Sequence, residues 1–278
     1  MDHIFIENLE VFANHGIYEE EASLGQKFII SARLYLDVAP AAKDDDISRS
    51  VNYADVCADI DRWMKDNRCR LIETVADRLA KKLLKELAAV REAEVTVKKP
   101  WAPVGLPLEC VSITVTRKWH TAYLSVGSNM GDKEKYIRGG IDFLKGNDSV
   151  RILDVSPLIQ TAPYGNVDQD DFLNGAVKLE TLLTPHELLD LCHEAENAAK
   201  RVRKEHWGPR TLDLDILLYD SLVMDDADLT IPHPDMTNRE FVLQPLSRIA
   251  PHAFHPVCRM TASQLLGKLL GRNGVEEH

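Results

Sequence analysis

The sequence predicts an α+β chain of two domains, residues 1–119 and 120–278. Three observations carry that reading. A length of 278 residues is long for one hydrophobic core. The first 120 residues run strand, strand, helix, helix, strand, strand, an order that suggests one antiparallel sheet with two helices on one face. A fresh strand then opens at Ala122 with no Gly/Ser- or Pro-rich tether before it, so a second unit follows directly.

Ile4-Phe5-Ile6 and Leu9, Val11, Phe12 form the first predicted strand, and Phe28 to Val38 alternates as a longer second one. The polar, glycine-punctuated stretch from Asn14 to Gln26 reads as a loop. Tyr53 opens a helical period through Val56, Ile60 and Trp63. A second helix runs from Leu71 to about Leu87, with apolar residues at Ile72, Val75, Leu79, Leu83 and Leu87. Strands at Ala93–Lys98 and Cys110–Thr116 flank Pro100-Trp101-Ala102-Pro103. Such a sheet leaves its far face for another subunit to cover.

Beyond Ala122–Val126, Gly127-Ser128-Asn129-Met130-Gly131 leads through Asp132 into a helix reaching Ile141 and Leu144. The turn looks phosphate-cradling, but Gly-x-x-x-x-Gly-Lys-Ser/Thr is absent, so it is no P-loop. Val150–Ser156 is extended. Thr184-Pro185-His186-Glu187 starts a helix with a cap and proline in its first turn, and Gln264–Leu270 forms a short terminal one.

Thr211 to Tyr219 alternates as a strand, with Asp213 and Asp215 on one face and Leu212, Leu214 and Ile216 on the other. The carboxylates are then roughly 6.6 Å apart along the strand. Two such groups can converge on a hard divalent ion or a pair of them. Arg201, Arg203, Lys204 and Arg210 lie just upstream and suit a polyphosphate. With Trp207 beside a rigid Gly208-Pro209 turn, the combination suggests Mg-nucleotide chemistry. An edge strand with two solvated aspartates beside a charged helix end accounts for the same spacing.

Composition excludes several classes. The net charge is −11, which makes nonspecific nucleic-acid binding a poor fit and sets the basic run 201–210 apart as a focus for an anionic ligand. No apolar run approaches the ~20 residues of a membrane span, and the acidic N-terminus carries no signal-peptide pattern. Five scattered cysteines without Cys-x-x-Cys fit a reduced, cytoplasmic setting.

Arg201-Val202-Arg203 followed by Trp207-Gly208-Pro209-Arg210-Thr211-Leu212-Asp213-Leu214-Asp215 resembles the signature of 6-hydroxymethyl-7,8-dihydropterin pyrophosphokinase, an enzyme family of folate biosynthesis. The resemblance implies a ferredoxin-like α/β sandwich. It also implies pterin held by the backbone from Thr161 through Pro163 to Tyr164, by Asn174, and by the faces of Phe172, Trp207 and Phe241. ATP would meet Arg201, Arg203, Trp207, Arg210, His233 and Arg239, with Arg201 and Arg210 in catalytic roles. Asp213 and Asp215 would hold two Mg²⁺ ions. One departure is Ala199-Lys200, where the family has glycine before the first arginine, so helix would persist closer to Arg201.

Residues 1–119 resemble dihydroneopterin aldolase, through His15-Gly16, Glu21 before Gly25-Gln26, Asn52-Tyr53, Leu71-Ile72-Glu73, and Lys99-Pro100 with Ala102-Pro103. The resemblance implies a tunnelling-type fold assembling into rings, tetramer or octamer, with Tyr53 able to serve a neighbour's site. It implies catalytic roles for Lys99, Tyr53 and Glu21, and pterin binding by Glu21, Tyr53, Ile72 and Glu73, the last through a double hydrogen bond. Neither metal nor Schiff-base lysine is expected, because the substrate's own C=N, once protonated, is the electron sink. The doublet Lys98-Lys99 leaves the acid/base open: a register slip of one would make it Lys98.

The two resemblances meet on one compound, the aldolase product being the kinase acceptor. The expected function is therefore a bifunctional folate-pathway enzyme with ATP, Mg²⁺ and pterins as its partners. The alternatives are an active kinase carrying its first domain as an oligomerisation scaffold, or as a pterin epimerase.

Overall fold

The computed structural model describes residues 2–162, 170–199 and 211–271. The chain divides into two compact units, Met1–Trp119 and His120–His278. In the first, β1 (His3–Ala13), β2 (Gln26–Leu36), β3 (Val90–Lys99) and β4 (Val111–Lys118) pair in that order, each antiparallel to the next. Four helices are interposed: α1 (Glu19–Leu24), α2 (Ala39–Asp44), α3 (Tyr53–Asp66) and α4 (Ile72–Glu86).

Strand alternation sends Phe28, Ile30, Ala32, Leu34 and Leu36 of β2, and Ala93, Val95 and Val97 of β3, into one core. The helices meet it with Val56, Ile60 and Met64 of α3 and Val75, Leu79, Leu83 and Leu84 of α4. Burying side chains of this size contributes about 1.5–3 kcal/mol each. The register of β1 on β2 shifts between Ile6 and Leu9. There Asn8 takes φ 56° and donates its N–H to Ser31 Oγ at 3.0 Å. The irregularity brings Ile6 and Val11, an odd number of residues apart, to the same buried side.

The opposite face carries charge. Arg33 bonds Glu94 at 2.7 Å and stacks its guanidinium 4.4 Å over Phe5, Lys27 pairs with Glu10 at 3.2 Å, and Lys98 donates to Asn8 Oδ1 at 3.0 Å. The stretch expected to be loop from Asn14 to Gln26 contains α1, a correction with a local cause. Glu21 turns back to accept the Tyr18 N–H at 3.1 Å, and Glu19, Glu20 and Glu21 occupy the first turn, where the helix dipole favours acids. Helix α2 is likewise absent from the sequence reading.

In the second unit the order is β5 (His120–Ser128), α5 (Lys133–Lys145), β6 (Val150–Val155), β7 (Ile159–Thr161), β8 (Phe172–Thr181), α6 (Pro185–Ala198) and β9 (Asp213–Tyr219). Two more helices follow, α7 (Glu240–Ile249) and α8 (Ala262–Leu269). The strands form one antiparallel sheet, β6-β8-β5-β9, with β7 also on β8. The cap read at Thr184 is present: Thr184 Oγ1 accepts the Glu187 N–H and Glu187 accepts the Thr184 N–H at 2.7 Å.

This sheet is covered on both faces. Ala122, Leu124, Val126, Leu214 and Ile216 pack with α5 and α6, whereas Ala176, Leu217 and Leu218 pack with α7 and α8. A register shift between Tyr123 and Leu124 lets β9 pass from strict alternation to two consecutive buried leucines, Leu217 and Leu218, at the second core. Among the described residues no helix is long and apolar enough to cross a membrane.

Candidate functional site

Two sets of polar side chains stand out, one in each unit. In the first, β3 ends by carrying Lys99 into the same row as the buried Val95 and Val97, so its ammonium arrives in a largely desolvated place (9% exposed). Lys99 Nζ donates to Glu21 Oε1, and Glu21 is itself only 8% exposed. Glu21 is held from three sides: by Lys99, by the Tyr18 N–H, and by Gln26 Nε2 at 3.0 Å. Burial alone would raise its pKa. The Lys99 ammonium and the two further hydrogen bonds outweigh that and leave it below the ordinary glutamate value, hence ionised.

Gly16 makes room for this carboxylate. At φ +150° it has a backbone that few other residues adopt, and a Cβ there would lie 2.3 Å from Glu21 Oε2. Its neighbour His15 is fully buried, edge-on to Phe28 and stacked near Trp63. His15 Nδ1 accepts the Cys69 N–H at 3.1 Å, and Gly16 N–H donates to Cys69 O at 3.0 Å. Burial first, and the Lys99 charge second, push the imidazole down to about 4.

Lys98 faces the other way, on the charged side of the sheet, bonded to Asn8. Tyr53 and Glu73 begin α3 and α4, each in the first turn. Tyr53 is 63% exposed and Glu73 is exposed too, while Ile72 is half-buried. Among the described residues neither Tyr53 nor Glu73 hydrogen-bonds to Glu21 or Lys99. Of the residues read for this site, the fold therefore joins Glu21 and Lys99 directly and leaves Tyr53 and Glu73 at exposed helix starts.

In the second unit the polar groups lie along the rungs of the sheet. Asp213 pairs across with Gly127, Gly127 with Asn174, and Asn174 with Ile159, so one row crosses β9, β5, β8 and β7. Asn174 is buried and donates to Thr161 Oγ1 at 2.7 Å. A Cβ at Gly127 would meet Asn174 Oδ1 at 2.7 Å, so glycine is what lets the amide lie over β5. Phe172 pairs with Thr161 two rungs further along β7 and β8. Asp215 sits two residues on from Asp213, paired with Ser125, and both aspartates are half-buried. Between them the Leu214 N–H donates to Glu196, a buried carboxylate on α6, at 2.9 Å.

The segment after β9 brings His233 alongside, its N–H on Leu217 O at 3.0 Å. His233 Nδ1 accepts the Asp235 N–H, and Arg239 Nε donates to Asp235 Oδ2 at 2.7 Å. The Arg239 guanidinium lies 5.8 Å from the Phe241 ring at the start of α7. Burial holds His233 below the ordinary imidazole value against the pull of the Asp215 carboxylate, and Arg239 adds to the depression. Asp215, His233 and Arg239 thus feel one another, and Asp235, which the sequence reading did not single out, links the last two.

Pro163, Tyr164, Lys200, Arg201, Arg203, Trp207 and Arg210 lie outside the described residues. Helix α6 ends at Ala198 with Ala199 as its C-terminal cap, and the expected continuation towards Arg201 falls on Lys200 and Arg201, outside the described residues. Among the described residues no three His, Cys, Asp or Glu side chains gather as a closed metal cage. The donor set at Asp213 and Asp215 fits Mg²⁺ nonetheless. That ion binds through one or two carboxylates, its remaining positions filled by water and substrate phosphates.

Residues 4–116 match the family described as dihydroneopterin aldolase, and residues 123–251 match that described as 7,8-dihydro-6-hydroxymethylpterin-pyrophosphokinase. A 2-amino-4-hydroxy-6-hydroxymethyldihydropteridine pyrophosphokinase from Methylorubrum extorquens is 45% identical over 130 residues, 47% of this chain and 82% of that protein. The bifunctional protein FolKE of Lactococcus lactis is 46% identical over 134 residues, 48% of this chain and 38% of that protein. The folic acid synthesis protein FOL1 of Dictyostelium discoideum is 30% identical over 305 aligned positions, covering 100% of this chain and 46% of that protein. The chain thus spans less than half the length of these last two relatives.

Proposed function

From the premise that the chain belongs to the 7,8-dihydro-6-hydroxymethylpterin-pyrophosphokinase family and carries a dihydroneopterin aldolase domain before it, we propose that it performs two consecutive steps of folate biosynthesis. The first is retro-aldol cleavage of 7,8-dihydroneopterin to glycolaldehyde and 6-hydroxymethyl-7,8-dihydropterin. The second is ATP-dependent pyrophosphoryl transfer to the new hydroxymethyl group, releasing AMP. The observation that carries the proposal is the presence of both matches in one chain, because the product of the first reaction is the acceptor of the second.

For the lyase step, the buried Glu21–Lys99 pair supports Lys99 rather than Lys98 as the group that moves the proton. A side-chain hydroxyl proton is removed, the carbon–carbon bond breaks with its electrons flowing into the protonated C=N, and a proton returns to carbon. Glu73 would hold the pterin's amidine edge, with Ile72 against the ring. Tyr53 would orient the reacting side chain. Since Tyr53 and Glu73 stand exposed, we assign the complete site to a homo-oligomer in which neighbouring copies share it. Exposed Leu71, Tyr53 and Trp101 are apolar area available for that contact. Mixing two inactive proteins, Lys99→Ala and Tyr53→Ala, should restore part of the lyase activity if the site is shared; no recovery after subunit exchange is proven would sink this assembly.

For the kinase step, Thr161, Asn174 and Phe172 would bind pterin, with Pro163, Tyr164, Trp207 and Phe241 completing the pocket. A flat heterocycle with amide-like edges suits an asparagine, which offers donor and acceptor together. Arg201, Arg203, Arg210, His233 and Arg239 would neutralise the ATP phosphates. Two Mg²⁺ ions held by Asp213 and Asp215 would supply further charge neutralisation when bound. Catalysis there is positioning and electrostatics as the hydroxymethyl oxygen attacks the β-phosphorus. The strand order of the second sheet supports a ferredoxin-like sandwich, and the free cysteines are consistent with a cytoplasmic enzyme.

The test is a coupled assay with 7,8-dihydroneopterin, ATP and Mg²⁺, reading glycolaldehyde and AMP separately. Both should appear, AMP only after glycolaldehyde. AMP formation that requires added 6-hydroxymethyl-7,8-dihydropterin would reduce the first unit to a scaffold or epimerase.

A further inference from the structure

Two polar atoms on the residues around Glu21 and Lys99 are buried without a partner among the described residues, and their chemistry is complementary. One is Nε2 of His15, the other Oε1 of Gln26. Buried polar atoms left unpaired are rare in folded proteins and ask for an explanation.

The His15 tautomer follows from its neighbours. Nδ1 accepts the Cys69 N–H at 3.1 Å, so in the neutral ring the proton is on Nε2, which makes that atom a donor. The ring cannot readily turn away. The Gly16 N–H on Cys69 O anchors the adjoining backbone, Phe28 meets the ring edge-on at 5.3 Å and Trp63 stacks at 6.4 Å. Gln26 is oriented equally firmly. Its amide nitrogen donates to Glu21 Oε1 at 3.0 Å and approaches His15 O at 3.5 Å, so its oxygen is the acceptor left over. Burial and the Lys99 charge both keep the imidazole neutral, preserving one donor rather than a second cation beside the ammonium.

We propose that His15 is a positioning residue of the lyase site, its Nε2–H and Gln26 Oε1 together holding one hydroxyl group against the Glu21–Lys99 pair. A hydroxyl accepts one hydrogen bond and donates another, which is what this donor and acceptor require. Its source is either a bound water or the side chain of the pterin substrate. The inference rests on the lyase reading above and adds to it a residue that places the oxygen through which Lys99 and Glu21 exchange protons.

Two variants of the full chain separate the donor from the fold. His15→Asn keeps an acceptor for the Cys69 N–H and removes the distal donor, whereas His15→Gln keeps a distal N–H and gives up that acceptor. Glycolaldehyde formation should fall roughly ten- to a hundredfold in His15→Asn and recover partly in His15→Gln. AMP formation from supplied 6-hydroxymethyl-7,8-dihydropterin should stay at the wild-type rate in both. A loss in kcat at unchanged KM assigns the hydroxyl to water; a rise in KM for 7,8-dihydroneopterin assigns it to the substrate. Wild-type kinetics in His15→Asn, or equal damage in both variants, overturn the proposal. Nitrogen NMR of the wild-type ring gives a readout independent of the variants. A neutral, Nε2-protonated His15 is expected at neutral pH, and an Nδ1-protonated or doubly protonated ring overturns the assignment. A wild-type chain that releases no glycolaldehyde defeats the lyase reading instead, a distinct outcome.

Discussion

Lys99 and Glu21 are each less than a tenth exposed and bonded to each other, whereas Asp213 and Asp215 stand half-buried along a strand, with no closed cluster of three His, Cys, Asp or Glu among the described residues. The first sheet packs its core on one face, and the Glu21–Lys99 pair is buried at the end of that core. The second sheet has cores on both faces, and its polar row runs across the strands themselves. Desolvation explains why the two differ in what they need. A buried charge must have its partner inside the protein. A half-exposed acid pair can wait for an ion and a phosphate from solution.

This contrast is broken most directly by removing one charge from each site. Lys99→Ala leaves Glu21 buried with no counter-charge and should cost about 3–5 kcal/mol of stability, read by urea unfolding, together with the loss of glycolaldehyde formation. Asp215→Ala should lower AMP formation by about a hundredfold or more, yet change unfolding by no more than about 1 kcal/mol. Equal stability losses in the two would erase the distinction. Replacing both members of the buried pair, Lys99→Met with Glu21→Leu, should recover most of the stability and none of the activity.

Acid should sharpen it further. The His15 imidazole titrates at about 4 in the fold against 6.5 for an ordinary histidine. Between those values the unfolded chain binds a proton that the native chain refuses, so stability is full above pH 6.5 and falls as pH drops towards 4. The depressed Glu21 pKa acts in the same direction at the acid end of the range. The loss at His15 amounts to about 3 kcal/mol, and His15→Asn should flatten that part of the stability profile in a series of denaturant titrations.

Smaller effects should come from the two glycines. Gly16→Ala forces a Cβ to within 2.3 Å of a carboxylate oxygen that is already tied down, at a strained φ. A cost of about 1–3 kcal/mol follows, with glycolaldehyde formation falling and AMP formation intact. Gly127→Ala presses on Asn174 Oδ1, whose amide can move by giving up its bond to Thr161. Losing about 1 kcal/mol of hydrogen bonding should raise the kinase KM for its pterin roughly fivefold, with the lyase unchanged. Unaltered pterin affinity would remove Asn174 from the kinase site.

Much of this was readable along the chain where one element carries its own signal. Period-2 alternation placed Asp213 and Asp215 opposite Leu212, Leu214 and Ile216, and the 3.6-residue period placed Val75, Leu79 and Leu83 in the core. The capping box at Thr184 was legible because it is complete within four residues. Helix α1 was not, since its cap is Glu21 reaching back while the same carboxylate faces a lysine 78 residues away. Helix α7, with Pro245 inside it, did not read as the cover of a second core face.

The sequence by itself determined the two-unit α+β order, the acid pair, the basic run next to it in sequence and the motif-bearing residues of both candidate sites, because each rests on neighbours a few positions apart. Only the tertiary structure decided that Lys99 rather than Lys98 meets Glu21, that His15 and Gln26 stand behind that pair with an unpaired donor and acceptor, and that Asp215, His233 and Arg239 share one field. Those facts depend on burial and on contacts between distant segments. A side chain's charge state and hydrogen-bond partners are set by what surrounds it in space, which no local spacing encodes.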